Sequence, residues 1–519
     1  MKLTVLSRMR SVSFKSKKSR VFLTIGAVGL ICALGIASYF VARTFPEEHI
    51  QGAENSGASD VPSGISKVAW SWEDKSVDKI YSAWSTQAGM VVSVSGRGGR
   101  GAGAIGIDTE TGREAWSYRV PGRSVEVNVT PDRQKVVLAY TAHPLLMRFF
   151  GSDEMKVLTL RASDGKILSE WTDNLSTDGD SSETPVKTVV GSESDNVDAL
   201  TSNARLALEA RGEKGDPEKV ALVARSLEDN RELWRYDGSD SCDLTRTFKD
   251  KKLDILTTDG NVVLTMSCGE ESGPFESGSG QIVGIDAETG KQAWVHSCQE
   301  GGGDFGVPSL NPAMNNMWST FSDYDTPSSE SEVMSVSNCG GKDVYLDSAS
   351  GDETLAGANK YADEVLWRKQ DFVVTEELGE KTELPNVESP DGNSVFARTT
   401  KFRKVDSSGD TAAEASLQLL SNQRTTLKSV PLDNGMAVMV PGTLPSQSFS
   451  GKHEDGVSAV MVPWGENEPS RVIKFSDLPY FSGIRDQIEE NSLILPAPGA
   501  VVVSEPTEDG LSRRLVGLN

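Results

Sequence analysis

Several short stretches of this chain carry residue types that do chemistry in other settings. Gly96-Arg97-Gly98-Gly99-Arg100-Gly101 has the G-x-G-x-x-G spacing of a dinucleotide-binding loop. Such a loop must open a helix, whose N-terminal amides meet the pyrophosphate. Here Ala104-Ile105-Gly106-Ile107-Asp108 follows, an apolar run of strand type, so the loop reads as a hairpin connection carrying two arginines. Ser163-Asp164-Gly165-Lys166 has the S-x-x-K spacing of an acyl-enzyme nucleophile. Neither S-D-N nor K-T-G follows in order, and the stretch reads as a turn. The histidines are His49, His143, His296 and His453, and the last three lie more than 150 residues apart, a spacing that supports no metal or triad site. Acidic clusters at Asp178–Asp180, Glu270–Glu271 and Glu330–Glu332 sit among Ser and Gly and read as solvated loops, with weak calcium binding as the functional alternative. No catalytic residue, cofactor-binding residue or metal ligand is therefore assigned, and no cofactor is expected.

Of the five cysteines, Cys32 lies in an apolar run, while Cys242, Cys268, Cys298 and Cys339 lie well beyond it. An even number in an exported domain points to two disulfides. Four cysteines allow three connectivities; the sequence-local pairing, Cys242–Cys268 with Cys298–Cys339, is favoured. The absence of any C-x-x-C pair weakens thiol-redox and zinc-site readings.

The chain has 519 residues and a formal charge of −23. Phosphate contacts need clustered Lys and Arg, so no nucleic-acid partner is expected. Residues 1–20 form a basic tail (Lys2, Arg8, Arg10, Lys15, Lys17, Lys18, Arg20) without an acid. Val21–Ala42 is then free of charge, and as a helix it would extend about 33 Å, enough to cross a hydrocarbon core. The basic flank predicts a single-pass signal anchor with a cytoplasmic N-terminus and an extracytoplasmic remainder. The rival is a cleaved signal peptide, with Gly35 and Ala37 as the small residues, but an h-region is usually shorter than this run. Residues 1–43 hold eight basic groups and no acid, so the other 476 residues carry −31. Residues 43–66 are polar and rich in Gly, Ser and Glu and read as a flexible stalk.

Residues 67–519 contain short β-type runs such as Met90–Ser95, Lys135–Tyr140 and Asn261–Met266. The best helix candidates are short: Asn203–Arg211 and Ile484–Glu490. Ala104–Trp116 (AIGIDTETGREAW) and Ile282–Trp294 (IVGIDAETGKQAW) are near copies of one unit. Looser copies run Val157–Trp171 and Val220–Trp234, and weaker hairpins follow at Val344–Leu355, Phe402–Leu417 and Val460–Phe475 without a terminal Trp. Each unit is a strand, a polar turn and a second strand. Asp108 and Asp286 suit turns that bond backbone amides, and Gly112 and Gly290 suit positive φ. The steps between Trp116, Trp171, Trp234 and Trp294 are 55, 63 and 60 residues, room for four-stranded units. The chain ends on Leu515–Asn519 (LVGLN), like the first half of a unit, and begins its ordered part on Lys67–Trp72 (KVAWSW), like the second half. Pairing the two would close a ring and protect its edges.

These copies resemble the repeat of pyrroloquinoline-quinone-like β-propellers, which implies an all-β propeller of about eight four-stranded blades, with seven as the alternative count. The resemblance implies that Trp70, Trp116, Trp171, Trp234 and Trp294 dock blades together with Asp108, Gly112, Asp286 and Gly290. The family includes quinoprotein dehydrogenases and non-catalytic propellers such as the lipoprotein scaffold of outer-membrane protein assembly. The exported, anchored layout resembles membrane propeller proteins of actinobacteria. The dehydrogenases carry two adjacent cysteines under the quinone; none are adjacent here. The expectation is a non-catalytic binding or scaffolding module at the cell envelope, holding an envelope protein, peptide or glycan. The alternatives are an oxidoreductase or other enzyme with its site in the channel, and a ligand sensor. Trp318, Trp367 and Trp464 fall outside the strong copies and are candidate surface anchors for a partner.

Overall fold

The computed structural model describes residues 47–53, 59–97, 101–141, 154–174, 186–189, 199–213, 216–239, 242–249, 253–268, 279–298, 309–311, 333–339, 342–354, 364–369, 372–388, 394–406, 408–420, 428–441, 457–465, 471–476, 493–506 and 512–519. The basic tail and the Val21–Ala42 run lie outside these residues. No helix among the described residues is long and apolar enough to cross a membrane.

The described chain is nearly all β, arranged as a propeller: antiparallel sheets formed in chain order, each packed on the next. Eight sheets are described. Sheet 1 runs outward through Val77–Thr86, Gly89–Gly96, Ala102–Asp108 and Arg113–Val120. Sheet 2 holds Glu126–Val129, Lys135–Thr141, Glu154–Arg161 and Ile167–Asn174. Sheet 3 holds Val186–Val189, Ala204–Glu213, Asp216–Ser226 and Glu232–Tyr236. Sheet 4 holds Ile255–Thr257, Asn261–Cys268, Ser279–Asp286 and Gln292–Cys298, with a two-residue ribbon added at Cys242–Asp243. Sheet 5 shows Ser309–Asn311, Val333–Cys339 and Lys342–Asp347. Sheet 6 holds Glu364–Lys369, Phe372–Glu388, Ser394–Asp406 and Thr411–Leu420. Sheet 7 holds Lys428–Leu432, Gly435–Pro441, Val457–Pro463 and Arg471–Ser476. Sheet 8 closes the set: Ile494–Ala497, Ala500–Pro506 and Ser512–Leu518 are completed by Val68–Glu73 from the other end of the chain. Trp70 stands opposite Gly517 there, and Asn519 exchanges backbone bonds with Lys67.

The core lies between sheets rather than within one. Trp70, Val77, Ile80, Ile105 and Leu515 join sheets 8 and 1, and Trp116, Val127, Leu138 and Leu158 join sheets 1 and 2. This placement explains a misread element. Asn203–Arg211, expected as a helix, is the strand Ala204–Glu213, in which Ala204, Arg205, Leu206, Ala207 and Leu208 are all buried. A strand covered on both faces loses its polar alternation and no longer looks like one in sequence. The described helix is a single short one, Leu244–Lys249, and Ile484–Glu490 lies outside the described residues.

The expected flexible stalk is a second correction. Glu48–Ile50 adds a fifth, antiparallel strand to the outer edge of sheet 1, with His49 opposite Tyr118. Gly52 donates to the Asp164 carbonyl, Ser63 accepts from Asn434, and Ile65 is buried in the core of sheets 6 to 8. Composition registers how few apolar residues a segment has, but not that an open strand edge stands beside it ready to pair.

Candidate functional site

The repeat unit builds a joint between consecutive sheets. In sheet 1, Asp108 Oδ1 accepts from the Glu110 and Thr111 amides, and Gly112 N–H donates to the Asp108 carbonyl. In sheet 4, Asp286 Oδ1 accepts from the amide and hydroxyl of Thr289, which hold its carboxyl below the usual range. Gly112 sits at φ +69, and a Cβ there would lie 2.5 Å from the indole of Trp70. Gly290 repeats this against Trp234 at φ +68. The turn must therefore be glycine for both its backbone and its neighbour.

Each indole seals its joint with a hydrogen bond. Trp70 Nε1 donates to Thr109 O at 2.6 Å, Trp116 to Ala162 O at 2.8 Å, and Trp171 to Leu227 O at 3.2 Å. Trp234 donates to Ala287 O at 2.9 Å and Trp294 to Ser348 O at 3.1 Å. Five successive joints, from sheet 8 round to sheet 5, share this bond. A β-bulge one residue before the docking position aims the side chain: Gly106 pairs Trp116, while Ile107 pairs Glu114.

The sheet 2 copy differs from its expected register. Ser169, not Trp171, occupies the docking position opposite Thr159, and its hydroxyl donates to Leu227 O at 2.6 Å. Trp171 lies two pairs further along, opposite Val157, half-buried, with the Arg205 guanidinium 4.6 Å from its ring centroid. In sheet 3 the turn glycine is replaced by Asn230 at φ 58, the non-glycine type that best tolerates that region. Both disulfides form as favoured. Cys242–Cys268 stays within sheet 4, and Cys298–Cys339 ties sheet 4 to sheet 5.

The chemistry-bearing motifs fall into this framework. Arg97 lies at the end of a strand and pairs with Asp78 at 3.7 Å, and the loop joins two strands of one sheet. Ser163–Lys166 is the sheet 2 turn, where Asp164 Oδ1 accepts from the Lys166 amide. His296 Nε2 lies 4.0 Å from Glu353. His143, His453, Trp318 and the three acidic clusters lie outside the described residues. Trp367 falls in the first strand of sheet 6. Trp464, expected as a free anchor, is half-buried at the sheet 7 turn and donates to Leu432 O at 3.1 Å.

The best-organised polar cluster was not singled out in the sequence. Glu47 accepts from Tyr118 at 2.8 Å, Tyr140 at 3.0 Å and Lys156 at 3.2 Å. Burial would raise its carboxyl pKa, but these three donors outweigh it and hold the group ionised below the usual range. Burial raises both tyrosines. Beside it His49 Nε2 donates to the Gly165 carbonyl at 2.8 Å. The cluster clamps the chain entering the ring across the joint of sheets 1 and 2. Lys428, on the first strand of sheet 7, is a second missed group: burial pushes its amine down to about 7. A lone Glu or Lys in a polar stretch carries no periodic signal, so only packing reveals either one.

The resemblance to quinoprotein dehydrogenases raises the question of a quinone. Both disulfides join residues far apart in sequence, so neither supplies the adjacent cysteine pair, and the described residues do not fit that cofactor. No family model and no curated protein matches the chain. Among solved structures it is similar to BamB from Moraxella catarrhalis, at 12% identity and TM-score 0.35, covering 88% of this chain and 99% of that one. It is also similar to the quinohemoprotein alcohol dehydrogenase of Comamonas testosteroni, at 11% identity and TM-score 0.35, covering 87% and 76%. The WD40 domain of SCAP from fission yeast gives 9% and 0.32, covering 92% and 98%. None of these likenesses bears on what the chain does.

Proposed function

We propose that this chain is an eight-bladed propeller that acts as a non-catalytic binding or scaffolding module, exported and held at the cell membrane by Val21–Ala42. In this reading the N-terminus is cytoplasmic, and the acidic ring presents its loops to an envelope protein, peptide or glycan. The observation that carries it is the use made of the chemistry-bearing residues. Asp108 and Asp286 hold turns, Ser163–Lys166 is a turn, and the five tryptophans bond neighbouring sheets. A ring braced in this way keeps its rims in fixed relation, which a multi-point docking surface requires. The clamp at Glu47 begins five residues after Ala42, so the ring would sit close to the bilayer rather than on a long tether.

Crosslinking in intact cells followed by capture of the tagged chain tests the reading. A reproducible extracytoplasmic partner is expected, lost when loop residues of the ring are changed. Purified chain given quinone and calcium should show no bound-quinone spectrum and no alcohol oxidation; turnover there would replace the scaffold with an oxidoreductase.

A further inference from the structure

The joint between sheets 4 and 5 holds more donor chemistry than closing a ring needs. Trp294, His296 and Cys298 occupy alternate positions of a strand whose register is regular from Gly284↔Trp294 to Gly280↔Cys298, so all three side chains emerge on one side. Each meets sheet 5: the indole bonds Ser348 O, the imidazole faces Glu353, and Cys298 is bonded to Cys339. One ring nitrogen of His296 and the two sulfurs all lie within 4.8 Å of one another. Both cysteines are buried and His296 is half-buried, so the group opens to solvent on the imidazole side.

We propose that, on reduction of Cys298–Cys339, the two thiolates and His296 form a binding site for a borderline-soft divalent cation, Zn2+. Two sulfurs and an imidazole select zinc over calcium or magnesium, which prefer oxygen. The reductant is a dithiol or a phosphine: two electrons enter the S–S bond and two protons arrive to give two Cys–SH, while the dithiol leaves as its own disulfide or the phosphine leaves as its oxide, with oxygen and both protons taken from water. Zinc then displaces both thiol protons and stays divalent. In a tetrahedral site the Zn–S and Zn–N bonds, about 2.3 and 2.0 Å, put the sulfurs about 3.8 Å apart and each sulfur about 3.5 Å from the nitrogen. The two sulfurs, bonded to each other in the disulfide, therefore move apart once the bond is cut, while the imidazole nitrogen, now within 4.8 Å of them, closes in by up to about 1 Å. Glu353, which also receives Lys342 Nζ at 3.3 Å, or a water takes the fourth position. Disulfide and zinc are then two alternative closures of one joint, each pinning sheet 4 to sheet 5.

The test uses the full chain reduced with a phosphine, and Co2+ as the spectroscopic stand-in for zinc. One Co2+ should bind with a thiolate-to-metal charge-transfer band and tetrahedral d–d bands, and Zn2+ should displace it. His296→Ala should weaken binding more than about tenfold. Cys298→Ser with Cys339→Ser should abolish it, while Cys242→Ser with Cys268→Ser should leave the band in place. Reduction carried out with Zn2+ present should raise the melting temperature above that of metal-free reduced chain, and His296→Ala should lose that gain. A reduced chain without the charge-transfer band, equal affinity in His296→Ala, or melting unaffected by Zn2+ would each overturn the proposal.

Discussion

Two arcs of the ring are joined by different physics. From sheet 8 through sheets 1 to 5, every joint carries an indole N–H bonded to a carbonyl in the next sheet's turn. From sheet 5 back to sheet 8, that device is missing from the described residues. In sheet 6 the bulge is retained, but Ala413, opposite Lys404, stands where the tryptophan would be. The joint to sheet 7 is made from the other side, with Gly465 donating to the Glu414 carbonyl and Trp464 turned onto Leu432 O. The core there gathers Met436, Met439 and Met461 around Phe402 and Phe475. An indole bonded to a carbonyl fixes both distance and orientation, whereas thioethers fill irregular space without specifying either. The first arc is located by geometry and the second by volume.

The sharpest way to break this contrast is to truncate one indole in each arc. Trp116→Ala should cost about 3–5 kcal/mol by denaturant unfolding, since it removes a fully buried side chain and orphans a carbonyl. Trp464→Ala, half-buried, should cost about half as much; equal losses would erase the distinction.

Lys428 gives the second arc a pH dependence of its own. Its amine is pushed down to about 7, while the unfolded chain keeps the ordinary value of 10.5. Between those values the unfolded state binds more protons, so stability should climb as pH rises from about 7 to 10.5. Below that window both states are protonated and the penalty is constant. Lys428→Met should flatten the climb; an unchanged slope across a urea-midpoint series would show that another group causes it.

A gentler probe is Met439→Leu, which should cost less than about 1.5 kcal/mol because volume is retained. Trp116→Phe should cost more than that, because the hydrogen bond to Ala162 O has no replacement. The smallest effect belongs to the clamp. Glu47→Gln should leave global unfolding nearly unchanged while speeding proteolysis around residues 51–53. Acid should do the same in the natural chain: the folded Glu47 pKa is lowered, so its contribution is present above 4.5 and fades as pH falls through the lower folded value. Cleavage insensitive to both would mean that backbone pairing alone holds the arm.

Much of the fold could be read from periodic residues. The Asp–Gly turns at Asp108–Gly112 and Asp286–Gly290, the Trp that follows each, and the half-units at the two ends together pointed to a closed ring, and Trp70 opposite Gly517 is that closure. The pairing of cysteines nearest in sequence is also the one formed. What escaped was non-periodic. Ser169 takes the docking place that the repeat pattern assigns to Trp171, because a two-residue offset keeps the same side of the strand and leaves the apolar pattern unchanged. The Asn203–Arg211 segment lost its alternation through burial on both faces, and the arm at Glu48–Ile50 had no pattern of its own to lose.

By itself the amino-acid sequence determined the class of the molecule: short strands, turns that demand glycine, indoles at a repeating interval, and opposite charges on its two parts. These are local demands of backbone conformation and side-chain type, so they are written residue by residue. Only the tertiary structure decided which joints are hydrogen-bonded and which are merely filled, that Glu47 meets two tyrosines and a lysine from sheets 1 and 2, and that His296 stands beside Cys298 and Cys339. Those contacts join residues tens of positions apart, and their energies depend on burial and distance, which exist only once the sheets have packed.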